Sequence, residues 1–179
     1  MRRALSLGAL ILIFFCAVQA VHAGTFYLHD HPSYWWYVVD NPAFSVIVPS
    51  TGQNYIERSI FGLDSLLITF QDGTISMEVN AQPGTDVEAV RSSLEARYKP
   101  LVKDVTILSN QEITTSNNLK CHFYAYEATG ANGKKVMLRA VFFQRGDYVV
   151  YLTYFLESAQ FRDDTREYWI RAVNGFEWN

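Results

Sequence analysis

Residues 134–157 read KKVMLRAVFFQRGDYVVYLTYFLE, two β-type runs meeting at Arg145-Gly146-Asp147. The runs are rich in Val, Phe, Tyr and Leu and are broken by a turn glycine, which is a hairpin pattern. Each arm carries apolar residues on both faces. In the first, Leu138, Ala140 and Phe142 point one way and Val141 and Phe143 the other. In the second, Tyr148, Val150, Leu152 and Tyr154 oppose Val149, Tyr151 and Phe155. A strand wetted on one side alternates apolar with polar, so this hairpin belongs centrally in a sheet covered on both faces.

Working outward, residues 105–114 and 119–128 are further strands, turned at Ser116-Asn117-Asn118. Asn132-Gly133 then leads into the central hairpin. On the N-terminal side lie residues 44–49 (FSVIVP), 55–61, 65–71 and 74–80, the last pair joined through Asp72-Gly73. Pro83-Gly84 closes that run. Thr85 with Glu88 has capping-box spacing, and Val87, Val90, Leu94, Tyr98 and Leu101 form a helical stripe. Glu95 and Lys99 are placed for an i,i+4 ion pair. Pro100 ends the regular helix near Lys99. A second helix follows Glu157, with Phe161, Thr165, Tyr168, Trp169 and Ala172 on one face. Asn174-Gly175 is its stop signal, and Phe176 and Trp178 are placed to pack back on it.

Tight turns between successive strands make the sheet mainly antiparallel. With two amphipathic helices available, the expected fold class is α+β: a mainly antiparallel central sheet covered by helices on both faces, an α/β/α sandwich.

The chain has 179 residues, 49% apolar and 18% charged, enough for one packed domain and far from a disordered composition. Formal net charge is −3, and the longest basic cluster after the N-terminus is Lys134-Lys135, which argues against a nucleic-acid partner. Residues 1–23 read as a secretory signal: Arg2 and Arg3, an apolar core from Leu5 to Val18, then Val21-His22-Ala23, with cleavage after Ala23, or alternatively after Ala20. The apolar core is shorter than the roughly 20 residues of a spanning helix. No later run is long and apolar enough to span, so no transmembrane segment is expected after cleavage, and the product is periplasmic or secreted. Cys16 lies inside the leader, so Cys121 is the one cysteine left and no internal disulfide forms.

The expected organisation is a signal peptide (1–23), an extended aromatic N-terminal arm (24–43) and a single sandwich domain (44–179). The arm reads GTFYLHDHPSYWWY from Gly24 to Tyr37. Its Tyr34–Val39 part docks on the body or forms an edge strand.

The pattern resembles the PsbP-like and Mog-like α/β/α sandwich superfamily, which includes DcrB-like bacterial envelope proteins. The resemblance is carried by FSVIVP, by DGTISMEVNAQ running into TDVEAVRSSLEARY, by the meander around VMLRAVFFQRGDYVVYLTYF, and by the closing RAVNGFEW. It spans residues 44–178 and implies a binding or assembly module. It carries over no site residue.

Candidate chemistry is sparse. His29, Asp30 and His31 are suitable metal ligands. In an extended segment the two imidazoles point the same way with Asp30 opposite, and a third ligand would come from the body, with His122 a candidate. The competing interpretation is a solvated arm. Cys121 and His122 are adjacent on a strand and face opposite ways, so they form no dyad with each other. Arg145-Gly146-Asp147 spells an adhesion-type triplet but has the composition of a hairpin tip. Tyr34, Trp35, Trp36 and Tyr37 are the candidate partner- or ligand-binding residues, since aromatics combine contact area with a polar edge. There is no GxSxG, P-loop or HExxH.

The expectation is therefore an exported, non-enzymatic binding or assembly module of the bacterial envelope. It needs no cofactor, and its partner is a protein or small ligand there. The alternative is a metal-binding protein or metal-dependent enzyme built on His29 and His31.

Overall fold

The computed structural model describes residues 24–60, 63–70 and 73–179. Residues 1–23, expected to be a signal peptide, lie outside the described residues. The central hairpin is present as β9 (Lys135–Arg145) and β10 (Tyr148–Glu157), paired antiparallel from Tyr148 opposite Arg145 to Glu157 opposite Val136. Gly146 at its tip has φ +57°, which a residue with a Cβ rarely adopts.

A large sheet of seven strands has the order β4-β5-β6-β10-β9-β8-β7. Its other members are β4 (Asn54–Ile60), β5 (Leu63–Phe70), β6 (Ile75–Pro83), β7 (Val102–Thr114) and β8 (Lys120–Gly130). The expected two-residue turn after Phe70 falls partly outside the described residues, but β5 and β6 pair antiparallel as it requires. β10 is the middle strand. From β6 the chain crosses the sheet in α1 (Val87–Tyr98), reaches the far edge at β7, and meanders back through β8 and β9 to β10. This crossover lays α1 over one face. Val90, Leu94 and Tyr98 pack on Tyr124, Tyr126, Leu138, Phe142 and Tyr151.

The other face is not covered as an α/β/α sandwich requires. A second antiparallel sheet lies there, in the order β1-β2-β3-β11. Its strands are β1 (Thr25–Leu28), β2 (Tyr34–Asp40), β3 (Ala43–Pro49) and β11 (Glu177–Trp178). The C-terminal helix α2 (Asp163–Asn174) contributes Trp169, Ala172 and Val173 to the same core and sits beside β3. The fold is thus two antiparallel sheets packed face to face, with one helix on the outside of the large sheet and one beside the small one.

The physical reason lies in residues 24–40. They form a hairpin whose inward side chains, Tyr37 and Val39, join Phe44, Val46 and Val48 of β3 against Leu66, Ile68, Val141 and Leu152 of the large sheet. β2 is apolar on both faces, so it lacks the alternation that marks a strand. The turn between β2 and β3 is at Asn41-Pro42, whose peptide bond is cis.

Three local expectations are also corrected. The cap of α1 is Asp86, one residue after Thr85: its carboxylate accepts from the backbone N–H groups of Glu88 and Ala89. Glu95 pairs with Arg91 and not with Lys99. Leu101 leaves the helical stripe and is exposed in the 3-10 turn at Lys99–Leu101.

Gly175 follows α2 with φ −95°, so it is not a left-handed stop. A Cβ there would lie 2.4 Å from Ile47 Cδ1 and 2.8 Å from the Arg171 carbonyl oxygen. The glycine is required by close packing of the helix end on β3. Directly after it, Phe176 is fully buried and stacks on Phe143 at 3.9 Å between ring centroids. It also lies against Phe44, and so joins the two sheets.

Candidate functional site

Strand alternation divides the four aromatics of residues 34–37 between two environments. Trp35 and Tyr37 face inward. Trp35 meets Phe26 edge-on at 5.5 Å and Tyr55 at 5.2 Å. Tyr37 is fully buried. Tyr34 and Trp36 face outward. Tyr34 is nonetheless buried, because α2 reaches over it: the Arg171 guanidinium lies 4.9 Å above its ring and Tyr168 packs at 6.1 Å. Its phenol is held above the usual range, chiefly by burial, with Arg171 opposing. Of the four, Trp36 is the residue left half-buried on the open outer face.

Cross-strand pairing sets its neighbours. Tyr27 of β1 lies opposite Trp36, and Val38 lies opposite Ser45, which in turn pairs with Glu177. With Asn179 these residues line a shallow depression of about 330 Å³ on the outer face of the small sheet. Tyr27 is 55% exposed. Glu177 is the one acidic side chain of the lining, so the surface is aromatic with a polar border. Tyr27 follows directly from the β1–β2 ladder, but the sequence shows only a short apolar run there, with no turn signal stronger than Pro32.

His29, Asp30 and His31 lie in the turn between β1 and β2, not in an extended segment. The His29 Nδ1 accepts from the His31 backbone N–H at 2.9 Å, and the His31 Nδ1 accepts from the Ser33 N–H at 3.2 Å. An imidazole that accepts at Nδ1 carries its proton on Nε2. A metal at Nε2 would therefore have to displace that proton. The rings instead join the aromatic surface, His29 at 5.6 Å from Trp36 and His31 at 5.3 Å from Tyr34. His122 does not come to them. It is on β8 of the large sheet, where its Nε2 lies 2.5 Å from Asn110 Oδ1 of β7. Among the described residues no three of His, Cys, Asp and Glu are grouped to hold a metal.

Cys121 is buried in the core between the sheets, and burial pushes its thiol up to about 11. A thiol so held is not a nucleophile near neutral pH. The Arg145-Gly146-Asp147 tip is exposed and tied to the rest of the fold. The Arg145 Nη1 donates to the Asn179 carbonyl at 3.1 Å, and the Asp147 carbonyl accepts from the Gly84 N–H at 2.8 Å.

No family model matches the chain, and no curated protein matches it in sequence. Comparison with solved structures finds similar chains. Cyanobacterial PsbP (CyanoP) from Synechocystis sp. PCC 6803 is 8% identical and superposes with a TM-score of 0.59, over 87% of this chain and 98% of that one. A protein of unknown function from Pseudomonas aeruginosa is 16% identical, with a TM-score of 0.46 over 85% of this chain and 94% of that one. The superposition on CyanoP gives this chain a PsbP-like fold.

Proposed function

We propose that this chain is an exported, non-enzymatic binding or assembly module of a bacterial envelope, and that it engages its partner through the outer face of the small sheet around Trp36 and Tyr27. The observation that carries the proposal is the pairing of these two aromatics, one half-buried and one exposed, in a shallow depression bordered by Glu177. Aromatic side chains on an open, polar-bordered surface suit recognition, whereas bond chemistry needs converging titratable groups in a water-excluding cleft. Tyr34, Trp35 and Tyr37 hold this surface in place from beneath and beside it. The leader-like residues 1–23 support export, to the periplasm or beyond. The narrower kinship with Mog-like and DcrB-like envelope proteins is part of the same proposal.

The test is capture from envelope extracts by the full mature chain, compared with Trp36→Ala and Tyr27→Ala and with Ile56→Ser on β4 as a surface control. Loss of the captured partner with the first two, and its retention with the control, is expected. An unchanged captured set with Trp36→Ala overturns the proposed surface. N-terminal sequencing of the exported protein should begin at Gly24 or at Val21; a cytoplasmic chain that keeps Met1 overturns export. Elemental analysis tests the competing proposal of a metal on His29, Asp30 and His31. Stoichiometric metal lost on His29→Ala and His31→Ala would replace the present one.

A further inference from the structure

On the opposite side of the molecule, α1 and β7 leave a groove of about 470 Å³ between them. Its origin is topological. α1 lies over β8, β9 and β10, while the chain it feeds continues to the sheet edge at β7. The β7 residues on the helix side therefore have no helix above them. Val105 is 51% and Ile107 58% exposed, and both line the groove. β7 is an edge strand and is bulged on either side of Thr106 and Ile107, with Asp104 at φ +53°. Bulges of this kind discourage pairing with another strand. The apolar wall is thus better suited to a small molecule than to an added β-strand.

One helical face, Ser92, Glu95, Ala96 and Lys99, makes the opposite wall, about 10 Å long at 1.5 Å per residue. Tyr124 and Tyr126 make the floor. The polar groups here fall into two kinds. Glu95 is already engaged, since its carboxylate pairs with Arg91. Two others are not. Tyr126 is 2% exposed and its hydroxyl has no hydrogen-bond partner among the described residues. Lys99, at the rim, makes no ion pair among them. The Tyr126 hydroxyl is sealed from the groove, so Lys99, an exposed ammonium at the rim, is the group left to meet a ligand, and its charge favours an anionic one.

We propose that the groove between α1 and β7 binds a small amphipathic carboxylate, its apolar body against Val105, Ile107 and Ala96 and its head group at the Lys99 end.

The test uses octanoate and 1-octanol, which share an apolar body and differ in the head group, titrated calorimetrically into the full mature chain. Octanoate is expected to bind and octanol to bind more weakly. Ala96 is exposed, so Ala96→Phe fills the groove without entering the core and should abolish octanoate binding. Lys99→Met should weaken octanoate about two- to fivefold, the size of an exposed ion pair, and leave octanol unchanged. Trp36→Ala should change neither, which separates this groove from the aromatic surface of the small sheet. Octanol binding as tightly as octanoate, no binding of octanoate, or octanoate binding that survives Ala96→Phe would each overturn the proposal.

Discussion

Two buried tyrosines of the large sheet provide an opposed pair of mutations. Tyr154 is fully buried and its hydroxyl donates to the Thr165 carbonyl at 2.9 Å, tying β10 to the first turn of α2. Tyr126 is also buried, but its hydroxyl has no partner among the described residues. Replacing either by Phe removes one oxygen and leaves the ring contacts, including the edge-on pair of Tyr124 and Tyr126 at 6.0 Å. For Tyr154→Phe the loss is a hydrogen bond made in the core, about 1–1.5 kcal/mol. For Tyr126→Phe the change removes a desolvated and unsatisfied group, whose burial costs about 1–3 kcal/mol, so the variant should gain about 1 kcal/mol. The two variants should thus differ by about 2 kcal/mol with opposite signs. Urea denaturation at constant slope measures this directly. With a slope of about 2 kcal/mol/M their midpoints should lie about 1 M apart, on either side of the parent. If Tyr126→Phe is destabilised as much as Tyr154→Phe, the Tyr126 hydroxyl has a partner in the folded state and the reasoning is refuted.

Phe176→Ala should cost about 3–5 kcal/mol, because the ring is fully buried and stacked between Phe143 and Phe44; a loss below about 1 kcal/mol by chemical denaturation would show that the C-terminal segment does not close the two sheets. Gly175→Ala should destabilise by about 1–3 kcal/mol, since its Cβ would meet Ile47 and the Arg171 carbonyl, and Ile47→Val in the same chain should restore part of that. Stability should also fall at alkaline pH. The Cys121 thiol is pushed up to about 11 in the folded protein from about 8.5 in an open chain, so folding favours the protonated form. Its contribution is complete below about pH 8.5, declines above that, and is lost once pH passes about 11; a tenfold difference in proton affinity between the folded and open chains corresponds to about 1.4 kcal/mol. Cys121→Ala should flatten this part of the stability profile, and an equally steep fall in the variant would assign the effect to other groups.

Much of the large sheet was legible because its signals are local. Gly146 and Asn132-Gly133 mark turns whose backbone requires them, and the two-faced apolar pattern of β9 and β10 places them centrally. The spacing of Val90, Leu94 and Tyr98 marks α1 and the face it buries. The candidate site was only partly legible. Residues 34–37 stand out by composition, but which of them face solvent depends on the ladder with β1 and β3 and on the reach of Arg171 from α2. Tyr27 and Glu177 acquire meaning only as cross-strand neighbours of that surface.

By itself the sequence determined the strands of the large sheet, the two helices and the side most of their residues take, because strand and helix periodicities are properties of consecutive residues. It established that the central hairpin needs cover on both faces. It did not determine what the covers are. The second cover is a sheet because residues 24–40 return on themselves and pair with β3, and that choice is made by backbone hydrogen bonds and packing between segments distant in the chain. The groove beside α1 has the same cause: helix spacing gives the buried face of α1, but only the tertiary crossover to the far edge leaves Val105 and Ile107 without a helix above them.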